Sequence, residues 1–536
     1  MKKRISLLLA ALLLCGCAAP SVPSATETAP PQTSPAVVPE SGEISYESRF
    51  DRETVIRLTD TGMDLTGPNS LTVFASHDIV YYEDRDTYDS GNPYGEGEET
   101  DRHSAEEAEK HYVVNITRPG AYRVRGKLSA GQIRIDLGED AREDPNAVVE
   151  LILDNADITC TVAPAIVFQN VFECDGNWDK DTASPDVDTA NAGANLILEG
   201  DNTVTGSYVA KIFKDKDGEK KLWKQDGTIY SYMSMNIFGP GKLTVNAENE
   251  GIDTELHLTI NGGDITVLSG NDGINTNEDA VSVTTVNAGT LHIVAGLGAE
   301  GDGIDSNGYL VINGGTVISA AKPHSDSGLD SDKGSFIHGG TVIAFGAAMD
   351  WAESDSRQVT MNLQFNDHRD GILQITREDG TEVFSFDPAA DPVLKDYDRG
   401  FQGAVISCPA FAVGDSYHVY SNGTRMAYTS TDVMGHPGGF GGMPPEGMEP
   451  PADFGRKEPP EGFGGEMPTR PAGEEPNPPG SHGPSRPEGE MPPEGSDAPL
   501  SPGGFGDPGS TPPGEGKILF YMQDKVNFFS GLTAAQ

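Results

Sequence analysis

One phrase recurs along residues 256 to 345 and limits what the chain can fold into. Ile260-Asn261-Gly262-Gly263 returns as Val286-Asn287-Ala288-Gly289, Ile312-Asn313-Gly314-Gly315 and Ile337-His338-Gly339-Gly340, at steps of 26, 26 and 25 residues. A β-branched run follows each copy, as in Asp264-Ile265-Thr266-Val267 and Thr316-Val317-Ile318. A second phrase falls ahead of each copy: Gly251-Ile252-Asp253, Gly273-Ile274-Asn275, Gly303-Ile304-Asp305 and Gly328-Leu329-Asp330. A fixed period of this size marks a solenoid, in which each repeat is one supersecondary unit.

The runs are short, β-branched and bounded by Gly, Asn and Asp, which reads as strands and turns. No repeat holds a ten-residue helical stripe, so ankyrin and tetratricopeptide arrays are excluded, and the Leu/Asn pattern of leucine-rich repeats is missing. The remaining solution is all-β: a parallel β-helix in which each strand pairs with its copy in the next coil, and stacking supplies the core. Gly263, Gly289, Gly315 and Gly340 are expected at φ > 0 corners. Asn261, Asn287 and Asn313 are expected to stack as an amide ladder, interrupted at His338.

The rest of the chain divides around this block. Residues 1–17 read as a lipoprotein signal peptide: Lys2, Lys3 and Arg4, then an apolar run, then Leu14-Cys15-Gly16-Cys17, with Cys17 the lipidated first residue of the mature chain. An ordinary secretory signal is the alternative, and either places the protein outside the cytoplasm. Residues 18–45, rich in Pro, Ser, Thr and Ala, form a disordered tether. Residues 46–125 form an N-terminal cap with an acidic insertion, since the open end of a solenoid needs covering. Residues 126–350 carry the parallel β-helix, roughly seven coils, with insertions near 172–193 and 207–234. Residues 351–434 read as a small β region, 435–516 as a disordered Pro/Gly-rich segment of low complexity, and 517–536 as a C-terminal strand and tail that rejoins the β region.

Net charge is −46, from 83 acidic against 37 basic residues, which excludes nucleic acid as a partner and opposes docking on anionic lipid. Contact with a membrane is therefore expected only through the lipid anchor. Of five cysteines, Cys160, Cys174 and Cys408 remain after processing, and a Cys160–Cys174 disulfide is open to an exported chain.

The acidic phrase carries the chemistry. Asp253, Asp272, Asn275, Asp302, Asp305, Asp330 and Asp332 recur at one phase of the coil. Coils stack at about 4.8 Å, so the copies crowd their carboxylates together. A hard cation such as Ca2+, which takes six to eight oxygen ligands, removes the repulsion. Solvated turn residues bonding their own backbone are the alternative. Trp223, Tyr230 and Tyr232 in the second insertion, beside Lys220, Lys221 and Lys224, are candidates for stacking on sugar rings, the alternative being that they cover the solenoid flank.

The Ile-Asn-Gly-Gly-Thr-Val and Gly-Asp-Gly-Ile phrases, with the Gly/Met/Pro-rich tail and one last strand, resemble a family of secreted bacterial lipoproteins carrying a carbohydrate-binding β-helix domain and similar to polysaccharide lyases in fold. The resemblance covers roughly residues 120 to 530, most firmly 235 to 345. It implies a right-handed parallel β-helix, bound calcium, and attachment to plant cell-wall polysaccharide such as cellulose and pectin from the cell surface. The family often carries basic residues just after Gly-Ile, where this chain carries Asp253-Thr254-Glu255 and its copies, which opposes direct binding of a polyanion. An enzyme on the same scaffold, a calcium-dependent polysaccharide lyase, needs a base to take the proton beside a uronic carboxylate. β-Helix lyases resemble one another in using Arg or Lys. The chain has no Arg between Arg142 and Arg357, leaving Lys322 or Lys333 in an acidic zone that opposes their deprotonation. A surface adhesin with no sugar ligand also fits the tether.

Overall fold

A computed structural model describes residues 44–60, 62–82, 101–216, 219–347, 350–397, 399–431 and 516–535, with 211–216 and 219–224 described by their backbone alone. All fall in the unit Val38–Gln536. Cys17, nearly all of the tether and nearly all of segment 435–516 lie outside the described residues.

The described chain is almost entirely β; its one α-helix among these residues is a single turn, Ala105–Ala108. Strands one repeat apart pair in parallel, in three ladders. In the first, Val149–Cys160, Ala194–Glu199, Met235–Phe238, His257–Ile260, Val283–Val286, Tyr309–Ile312 and Ser335–Ile337 follow one another, with Ile260 opposite Val286 and Ile312 opposite Ile337. The second runs through Asp201–Gly206, Lys242–Ala247, Asp264–Ser269, Thr290–Val294, Thr316–Ala320 and Thr341–Gly346. The third takes Tyr112–Ile116, Gly131–Asp136, Ile166–Asn170, Gly227–Ser231, Glu250–Thr254, Ile274–Thr276 and Ile304–Ser306. Parallel pairing begins upstream of residue 126, where Glu53–Leu58 lies along Ala121–Gly126.

Side-chain alternation explains the ladders. In Asp264–Ser269 the inward positions Ile265 and Val267 are fully buried while Asp264, Thr266 and Leu268 are only partly covered. Ile265, Val267 and their copies meet Ile260 and Ile312 of the first ladder and Ile252, Ile274 and Ile304 of the third in one continuous core. At the corners Gly263, Gly289, Gly315 and Gly340 hold φ of 96°, 91°, 77° and 82°, as the repeat requires. The amide ladder forms as well: Asn287 Nδ2 donates to Asn261 Oδ1 and Asn313 Nδ2 to Asn287 Oδ1, both at 2.8 Å.

After residue 346 pairing turns antiparallel. Thr341–Gly346 and Thr360–Arg369 both pair with Phe401–Ser407, and Leu373–Arg377 pairs with Glu382–Phe386 and Ser416–Ser421. Phe520–Tyr521 joins Ser416–Ser421, and Val526–Ala534 lies parallel to Thr360–Phe365. A second core, with Phe345 stacked on Phe401 at 4.8 Å, holds this region together. Cys160, Cys174 and Cys408 are free thiols, so no Cys160–Cys174 bond forms.

Candidate functional site

The third ladder carries the site. From Gly227–Ser231 to Ile304–Ser306 its strands are short and buried on both faces: in Glu250–Thr254 every residue is buried. Ile252 faces the core, so Asp253 projects from the opposite side and is still fully buried. Register puts Asp253 opposite Asn275 and Asn275 opposite Asp305, and the Ile304–Leu329 bridge continues the line toward Asp330. A parallel line runs one turn earlier, where the Asp302 amide donates to Asp272 Oδ1 at 2.7 Å and the Ser327 amide to Asp302 Oδ1. At the far end Asp350 accepts from the Ser331 amide at 3.0 Å.

At the near end Asp226, Glu250 and Asp253 each bring a carboxylate oxygen within 4.8 Å of the others. Asn277 Nδ2 donates to Asp253 Oδ1 at 2.6 Å, and Asn275 Nδ2 reaches Glu250 Oε1 at 3.3 Å. Glu250 Oε2 and Asn275 Oδ1 are buried with no hydrogen-bond partner among the described residues. Leaving such acceptors unmet costs about 1–3 kcal/mol each, more when charged.

The electrostatics are as severe as the stacking implies. Burial pushes Asp272 and Asp305 far above the usual carboxylate range, and their neighbours push further: Asp305 and Glu250 on Asp272, Asp330 and Asp302 on Asp305. Burial, then Asp330, lifts Asp302 to about 8, against the Ser327 amide. Burial, then Asp350, lifts Asp330 to about 7. No Lys or Arg among the described residues forms an ion pair with Asp272, Asp302, Asp305 or Asp330, although pairs such as Lys180–Asp279 and Lys242–Asp264 form elsewhere in the chain. Every donor in the column is oxygen, which suits a hard cation of the calcium or magnesium kind over zinc or copper. The residues present therefore fit such an ion.

Of the residues expected at this site, Asp253, Asp272, Asn275, Asp302, Asp305 and Asp330 come together, whereas Asp332 is exposed at its margin. Asp226, Glu250 and Asp350 belong to the site and were not legible in the repeat. Glu250 directly precedes a Gly-Ile-Asp phrase, but Asp226 precedes Gly227-Thr228-Ile229-Tyr230, where the phrase has decayed. Lys322 donates through Nζ to the Gly298 carbonyl, and Lys333 is exposed.

Two of the three aromatic candidates, Tyr230 and Tyr232, are core residues. Tyr230 is fully buried and Tyr232 is 9% exposed, the two rings meeting edge to face at 4.9 Å. Tyr230 donates to the Glu255 carboxylate. The reason is register: Gly227–Ser231, read from the sequence as part of an insertion, is a strand of the third ladder between Ile166–Asn170 and Glu250–Thr254. Burial keeps both rings from a ligand. Trp223 lies in the hairpin strand Glu219–Gln225, paired with Val209–Lys216, and its side chain is outside the described residues.

Residues 110–362 match a family described as carbohydrate-binding domain-containing protein. The middle of this chain is similar to that family. A curated protein of the same description from Acetivibrio thermocellus is 30% identical over 155 residues, 29% of this chain and 44% of that protein. The alignment thus spans less than half the length of that relative. A solved structure titled as a polysaccharide lyase-like protein from C. thermocellum, gadolinium derivative, is 24% identical, with a TM-score of 0.31 over 54% of this chain and 92% of that one.

Proposed function

We propose that this protein is a cell-surface carbohydrate-binding lipoprotein, anchored through Cys17 and built as a right-handed parallel β-helix, that attaches to plant cell-wall polysaccharide such as cellulose or pectin with the help of calcium. The observation that carries the binding role is the similarity of residues 110–362 to the carbohydrate-binding domain family. Calcium is supported by the buried carboxylate column and by the unmet acceptors Glu250 Oε2 and Asn275 Oδ1. Asp226, Glu250 and Asp253 would hold an ion at one end, and Asp272, Asn275, Asp302, Asp305 and Asp330 along the column. The bound charge would offset the local repulsion and let a polyanionic chain approach a protein of net charge −46.

A glycan array run with calcium and again with chelator tests this reading. Acidic polysaccharide should bind only with calcium, and a variant carrying Asp302→Ala and Asp305→Ala should lose that binding. The same variant should melt at a lower temperature than wild type in calcium, because an ion that binds only the folded state adds stability by mass action. Equal binding and melting of the two proteins, with and without chelator, would remove calcium from these positions.

A further inference from the structure

The segment between Ile166–Asn170 and Ala194–Glu199 leaves the ladders and crosses the outer face of the first one. It is fastened along its length. Glu173 accepts from the Ser234 amide at 2.7 Å and its hydroxyl at 2.8 Å. Thr189 Oγ1 donates to Asn236 or Thr259, both at 2.8 Å. Tyr309 donates to the Ala183 carbonyl at 3.2 Å, and Lys180 pairs with Asp279 at 3.3 Å. A strap tied to strands this far apart along the ladder holds its shape before any ligand arrives.

Beneath it lies a cleft of about 200 Å³ lined by Asp175, Asn177, Ser184, Asp186 and His257, with Val187 and Val281 as its apolar wall. His257 is fully buried and fixed in one tautomer: the Val283 amide donates to Nδ1 at 3.1 Å, so Nε2 carries the proton and donates to Asp175 Oδ2 at 3.1 Å. That bond, ahead of the cost of burial, holds the Asp175 carboxyl below the usual range, so it is an ionised acceptor at neutral pH. Asp186 is exposed, and among the described residues no hydrogen bond or ion pair engages its carboxylate. Trp178, the residue after Asn177, is 39% exposed, in contrast to the buried Tyr230 and Tyr232.

We propose that this cleft binds one neutral sugar unit of a polysaccharide, with Asp175, Asn177, Ser184 and Asp186 meeting its hydroxyls and Trp178 stacking on an adjoining ring. The volume is below the roughly 300–1,000 Å³ that encloses a drug-sized ligand, so it takes a single ring and not a chain. Two carboxylates at its wall repel a uronate and favour hydroxyl donors. An exposed indole one residue from Asn177, together with the hydrogen-bond acceptors of the cleft, suits the two faces of a pyranose, one lined by C–H and the rim by O–H. The site rests on the carbohydrate-binding reading but is separate from the acidic column and needs no metal.

The test is tryptophan fluorescence of the full chain titrated in chelator with cellohexaose, xylohexaose and mannohexaose, alongside polygalacturonate retention in calcium. At least one hexaose should shift the emission, with affinity lowered about tenfold in Trp178→Ala, the loss expected for one stacked ring, and about tenfold in Asp186→Ala, the loss expected for one charge-assisted contact. Polygalacturonate retention should be unchanged in both variants. Equal hexaose affinity in wild type and both variants, followed by calorimetry, overturns the cleft while leaving the carbohydrate-binding reading in place. No response to any hexaose, with a calcium-induced change in emission that Asp186→Ala abolishes, also overturns it and assigns these acids to a cation. Absence of both hexaose and polygalacturonate binding overturns the cleft and the carbohydrate-binding reading together.

Discussion

Asp302 contributes to how the metal-free protein responds to pH. Its carboxyl titrates near 8 in the folded chain, against about 3.9 unfolded. A group raised on folding contributes stability that is fully present below its unfolded value and is lost as pH rises through its folded value. Asp330, near 7, acts in the same direction. In chelator the melting temperature should therefore fall between pH 5 and pH 8.5, and added calcium should flatten that fall. The net charge of −46 pulls the same way, so Asp302→Asn isolates the column: in chelator at pH 8.5 it should melt higher than wild type. Calorimetry across that range checks this, and a wild-type midpoint that rises with pH in chelator would refute it.

Among the elements, the amide ladder is the part most directly open to measurement. Asn287 donates to Asn261 and accepts from Asn313, so Asn287→Ala removes two bonds, while Asn313→Ala removes one. The first should cost about 1–3 kcal/mol and the second roughly half that, read as a shift in urea midpoint. Gly289→Ala should cost a similar amount for a different reason: φ is +91° and a Cβ would stand 2.7 Å from the Gly263 carbonyl oxygen. The ladder, the glycine corners and the acidic column were all legible in the sequence because each is a repeated residue in a fixed phase, and parallel stacking turns phase into contact. Asp226, Asp350 and the strand Gly227–Ser231 were not. There the phrase has decayed, and whether an aromatic such as Tyr230 is buried depends on pairing with residues more than twenty positions away. Composition alone could not separate Tyr230, which is core, from Trp178, which is exposed.

For the whole molecule, the chain's last strand closes the region behind the ladders. Phe520, Met522, Phe529 and Leu532 are buried in the second core, and Val526–Ala534 pairs with Thr360–Phe365 and with Met426–Ala427. A chain ended at residue 431 should expose that core, bind an apolar dye and show an early unfolding transition, whereas deleting only residues 440–510 should leave the main transition in place. The central claim joins the metal column to polysaccharide, and affinity electrophoresis of the full chain through gels cast with polygalacturonate tests it most directly. Migration should be retarded with calcium and restored to that in a plain gel by chelator. Equal mobility in both gels with calcium, or retardation that survives chelator, would contradict it.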